Sequence, residues 1–84
     1  MPYIKESRKS DFSFLIREIV GRKPSSGDLN YIISKIFQEL VIESGQSYEL
    51  YNSLIGVLEC AKLELYRRKV SLYEDEKIKI NGDI

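Results

Sequence analysis

Apolar residues recur every three or four positions along most of this chain, and that period predicts helices rather than strands. Phe12, Leu15, Ile16, Ile19 and Val20 form one stripe, with Ser13, Arg17 and Glu18 on the watered side. Leu29, Ile32, Ile33, Ile36, Phe37, Leu40 and Val41 form a second over three full turns, opposite Asn30, Ser34, Lys35, Gln38, Glu39 and Glu43. A third, longer pattern places Leu50, Tyr51, Leu54, Ile55, Val57, Leu58, Ala61, Leu65, Leu72 and Tyr73 on one broad arc. An arc that wide calls for more than one neighbour.

Capping residues divide these patterns into three rods. Residues 1–9, with Pro2 early and Lys5, Glu6, Arg8 and Lys9 close behind, show no helical period and are predicted to form an extended arm. Ser10 is the predicted N-cap of a first helix over 10–21, with Asp11 suited to the positive end of its dipole. Gly21 is the expected left-handed stop, and Pro24 blocks continuation. Ser25 and Asp28 have the spacing of a capping box, with Ser26 the alternative cap, for a second helix over 27–44. The short Gly45-Gln46 link to a new cap at Ser47 predicts an antiparallel hairpin with a third helix over 47–77. On that helix Glu59 can reach Lys62, Glu64 can reach Arg67 and Arg68, and Glu74 can reach Lys77, each pair contributing a few tenths of a kcal/mol. Near Ser71 the charges Arg68 and Lys69 intrude on the apolar arc, so a bend or break is expected there. Residues 78–84 form a tail, either frayed helix or short extended chain. The predicted fold is all-α: a short first helix packed on an antiparallel helical hairpin, its third helix long, in a single domain.

Length and charge narrow what such a domain can do. At 84 residues the core is small, so self-association would be an unsurprising supplement to stability. Thirteen basic and 13 acidic residues cancel, which argues against a general polyanion binder. The single cysteine, Cys60, excludes an internal disulfide, and without histidine there is no Cys/His zinc site. The start lacks the apolar core of a signal peptide, and no apolar run approaches the roughly 20 residues needed to span a bilayer; a soluble cytoplasmic protein is expected. No cofactor is implied.

Certain runs are distinctive. Gly27-Asp28-Leu29-Asn30-Tyr31, the run Gly56-Val57-Leu58-Glu59-Cys60-Ala61-Lys62-Leu63-Glu64-Leu65-Tyr66-Arg67-Arg68, Tyr73-Glu74-Asp75-Glu76-Lys77-Ile78-Lys79 and Asn81-Gly82-Asp83 together resemble a group of small proteins of unknown function from phages and prokaryotes. Its members share the opening Pro2-Tyr3-Ile4. The resemblance covers most of the chain and implies no activity. Members of that group often carry a proline directly before the tyrosine matched by Tyr73; this chain has Leu72, which weakens the expected break.

Four constellations could carry chemistry or contact. Ser53, Gly56 and Cys60, small residues three and four apart on the back of the third helix, would let another backbone approach closely and are the expected interface; the plain alternative is that Gly56 is tolerated at about 1 kcal/mol. Glu39, Glu43, Glu59 and Glu64 could form a carboxylate cluster for magnesium, as in all-α nucleotide pyrophosphohydrolases. Those enzymes pair acids three apart on two helices, and no such pair occurs here, so solvated charge is the default reading. Arg67, Arg68 and Lys69 beside Tyr66 could touch phosphates and stack a base, but neighbouring acids offset them. Asp28, Asn30 and Tyr31 could receive an anion at a helix mouth, or simply cap it. The sequence thus favours a non-enzymatic interaction or assembly module, a homodimer through the third helix. The alternatives are a metal-dependent phosphohydrolase and a nucleic-acid binder.

Overall fold

In the computed structural model residues 4–82 are described, and within them the chain is all-helical with no strand. The Pro2-Tyr3 opening and Asp83 lie outside that range. Helix α1 spans Glu6–Gly21, α2 spans Ser26–Ser44 and α3 spans Tyr48–Leu65; a π turn, Tyr66–Val70, joins α3 to α4, Ser71–Asn81. The last three pieces form one continuous rod of 34 residues, so the fold has three helices with the third the longest, as the periodicity predicts. The chain divides into two units, one ending at Gly45 and one starting at Gln46.

In the first unit, α1 begins four residues earlier than its cap signal suggests. Lys5 is the N-cap without a side-chain bond, and Ser10 Oγ donates to the Ser7 carbonyl at 2.8 Å instead of capping. The charges taken for an arm are helical pairs: Lys9 meets Glu6 at 3.0 Å and Arg8 meets Asp11 at 3.2 Å, while the Arg8 guanidinium also lies 5.0 Å from the centre of the Phe12 ring. Spacing of i, i+3 lets these long side chains support a first turn that carries no apolar period.

Gly21 is not the left-handed stop. Lys23 takes that conformation, with φ of 52°, and its amide donates to the Val20 carbonyl at 3.0 Å. Pro24 accounts for the displacement, because its ring disfavours a right-handed helical residue at position 23. Of the two caps proposed for α2, Ser25 is the one used. Its hydroxyl accepts from the Asp28 amide at 3.1 Å, and the Asp28 carboxylate accepts from the Ser25 amide at 2.9 Å, which satisfies two amides that the helix leaves unpaired. Gly45 ends α2 at φ 81°, donating to the Val41 carbonyl.

In the second unit, Ser47 accepts from the Leu50 amide at 3.0 Å and so caps α3, while the Tyr51 hydroxyl donates to Gln46 Oε1 at 2.9 Å. The irregularity expected near Ser71 is not a break, because the chain stays helical through a π turn. One extra residue is wound into the turn, so that the Ser71 amide donates to the carbonyl of Tyr66, five positions back. The helix then continues through the predicted tail to Asn81, and Gly82 closes it at φ 83°.

Candidate interaction surface

The apolar stripes are real in position and uncovered in the single chain. Among the described residues no side chain is buried. On α1 only Ile19 is half-buried, while Leu15 is 54% exposed and Val20 64%. On α2 Ile32, Phe37 and Val41 are half-buried, with Leu29, Ile33, Ile36 and Leu40 open to solvent. On the long rod only Leu50, Leu54 and Val70 among the apolar residues reach that intermediate state. Isolated helices of this length are marginal in water and draw most of their stability from covering such a face. The dominant feature of the surface is therefore an unmet demand for apolar contact.

The small residues expected at an interface are also open. Ser53, Gly56 and Cys60 are exposed, and a Cβ built on Gly56 would meet nothing within 4 Å. Among the described residues nothing approaches Gly56 closely enough to require a glycine.

The four glutamates proposed as metal ligands are engaged mostly with cations. Glu39 pairs with Lys35 at 3.3 Å, Glu59 with Lys62 at 3.2 Å, and Glu64 with Arg67 at 2.9 Å and with Arg68. Glu43 lines a shallow hollow on α2 with Lys35, Ile36, Glu39 and Leu40. Among the described residues no three acidic or thiol groups come together as metal ligands. Glu64 is the most enclosed of the four, its side chain 21% exposed. The hydrogen bond from Arg68 holds its carboxyl below the ordinary glutamate range; partial burial opposes that shift, and the charge of Arg67 adds to it. Arg67 and Arg68, proposed to contact nucleic acid, are thus both held by this carboxylate.

A hollow of about 290 Å³ lies in the first unit, lined by Ile19, Arg22, Pro24, Asp28, Tyr31 and Ile32. Its floor is the connector between α1 and α2, where the fixed φ of Pro24 and the capping box set the chain direction. The Asp28 carboxylate there is occupied by the Ser25 amide.

What the sequence reading missed is the network around the π turn. The Tyr66 hydroxyl donates to Glu74 at 3.3 Å, and Lys77, expected on Glu74, instead lies 5.5 Å from the centre of the Tyr73 ring. No apolar spacing announces it, because Leu72 lies seven residues after Leu65 and Tyr73 eight, so the seam could continue through either.

A small all-helical protein with apolar stripes, in which no metal-ligand cluster assembles among the described residues, is the class these observations define. Over residues 1–84 the chain matches the family described as Domain of unknown function (DUF6899), and it belongs to that family. No curated protein and no solved structure matches it. Among the described residues no helix is long and apolar enough to cross a membrane.

Proposed function

We propose that this chain is a non-enzymatic assembly module that completes its fold by associating with a second copy of itself. The observation that carries the reading is the absence of any buried side chain among the described residues, although three stripes of Leu, Ile, Val and Phe run along its helices. Covering one Leu or Ile contributes roughly 1.5–3 kcal/mol, so contact between copies supplies what the single chain lacks. A second copy is a chemically suitable cover: the net charge is zero, so copies do not repel at long range, and two-fold pairing is the commonest closed assembly. Glu39, Glu59 and Glu64 pair with Lys35, Lys62 and Arg67 along their own helices, which supports an assembly role over a carboxylate metal site.

Sedimentation equilibrium tests the reading. A dimer at micromolar concentration, with a melting temperature that rises with protein concentration, is the expected result. A monomer that melts cooperatively, at a temperature independent of concentration, would refute it.

A further inference from the structure

The long rod carries its charge in bands. Arg67, Arg68 and Lys69 form a cationic band, and Glu74, Asp75 and Glu76 form an acidic one two turns further on. Beyond them the order continues with the sign reversed, Glu64 before the cations and Lys77 and Lys79 after the acids. The midpoint between the bands falls between Ser71 and Leu72, where Ser71 is small and half-buried. Two copies laid antiparallel about that point bring every band against its opposite. Two copies laid parallel in register bring cations against cations and acids against acids. Like charges in contact are costly enough to decide orientation even where apolar contact supplies the affinity.

The apolar seam agrees. With the extra residue of the π turn counted, Tyr73 and Ile80 continue the line of Leu54, Ala61 and Leu65, and Leu65, Tyr73 and Ile80 are 61%, 63% and 69% exposed. In an antiparallel pair centred at Ser71, Leu65 of one copy lies at a level between Tyr73 and Ile80 of the other, the placement of a knob above a hole.

Resting on the self-association reading, we propose that the second copy docks antiparallel on the C-terminal half of the long helix, crossing beside Ser71, so that Lys69 and Arg68 of each copy flank the seam beside Glu74 and Glu76 of the other. The surface is then self-complementary, apolar along the seam and oppositely charged on its flanks.

The single cysteine provides the test on the full chain. With a spin label on Cys60, an antiparallel pair crossing beside Ser71 separates the two labels by about 23 residues of helix, roughly 35 Å. A crossing at Ser53, Gly56 and Cys60, or a parallel pair, brings them within about 15 Å. A second arm uses charge reversal: R67E/R68E/K69E and E74K/D75K/E76K are each expected to weaken self-association about tenfold or more, and mixing the two variants is expected to restore a mixed pair. A wild-type monomer in sedimentation would overturn the self-association reading itself. A wild-type dimer with the short label distance, or reversed chains that pair with themselves as well as the parent does, would overturn the antiparallel docking alone.

Discussion

The hydroxyl of Tyr66 donates to the carboxylate of Glu74, eight residues along the same helix, at 3.3 Å from Oε1. In a regular α-helix eight residues advance the chain by about 800°, leaving the two side chains some 80° out of line. The π turn between them absorbs most of that difference, because it holds more residues per turn. The bond and the turn therefore depend on each other. Replacing Tyr66 by Phe removes the donor at an exposed site, where the loss is about 0.5–1 kcal/mol at most. Amide exchange at Ser71, whose N–H closes the π turn onto the Tyr66 carbonyl, is expected to become a few-fold faster while exchange in α2 is unchanged. Equal exchange in both proteins would show that the bond does not hold the turn.

Deleting Lys69 is the sharper perturbation. With the extra residue gone, the rod is expected to become an unbroken α-helix, and the through-bond NMR coupling between the Ser71 nitrogen and the Tyr66 carbonyl should vanish. Helical content by circular dichroism should be kept or rise, since the less favourable π geometry is removed. The last turns keep their orientation relative to α3, because Tyr73 then lies seven residues after Leu65 in a regular helix, so Tyr73 and Ile80 stay on the line of Leu65. A more regular helix that still associates, read as a melting temperature that rises with concentration as it does in the parent, is the expected outcome. A deletion variant that keeps the Ser71 to Tyr66 coupling would show that the π turn is not set by residue count.

These two residues also mark where the sequence stopped being legible. Three rods, their caps at Ser25 and Ser47 and the stop at Gly45 follow from local rules, in which one side chain bonds an amide three positions away. The start of α1 did not follow, because Glu6, Arg8, Lys9 and Asp11 stabilise that turn by pairing, and a charge run without an apolar period reads as an arm. Near Ser71 the disturbance was visible in Arg68 and Lys69, but a bend, a break and an inserted residue disturb the period in the same way. As for the candidate site, the pairing of Glu59 and Glu64 with cations was readable from i, i+3 and i, i+4 spacing. The exposure of the stripes was not, because a periodic stripe states that a face needs cover and never what covers it.

The connector between α1 and α2 offers a test of backbone strain. Lys23 holds φ of 52°, a region that costs a residue with a Cβ about 1–2 kcal/mol. Lys23→Gly should therefore stabilise the chain by up to about 1 kcal/mol, the gain reduced by the extra freedom glycine brings to the unfolded state. Gly45, at φ 81°, should respond in the opposite sense, with Gly45→Ala destabilising by about 1 kcal/mol or more. Urea midpoints of the two variants against the parent check both signs, and a Lys23→Gly variant less stable than the parent would contradict the account.

Glu64 gives a pH dependence whose sign is fixed by its partners. Its carboxyl is held below the ordinary glutamate range, first by the hydrogen bond from Arg68, with Arg67 adding its charge. A carboxyl whose folded value is depressed contributes stability that is fully present above the unfolded value and is lost as the pH falls through the depressed one. The folded chain should thus keep the Glu64 pairs through mildly acidic solution and lose them only below the range in which free glutamates titrate. Carbon-detected NMR titration of the side-chain carboxyl is expected to place the Glu64 midpoint below that of an unfolded reference peptide. Because the Arg68 bond is the largest cause, Arg68→Ala should raise that midpoint more than Arg67→Ala does. Glu64→Gln should remove this component from the acid limb of the stability curve. An Arg67→Ala variant with the larger rise would reverse the assignment of which guanidinium holds the carboxylate, and an unshifted Glu64 in the parent would remove the pairing as a source of acid sensitivity.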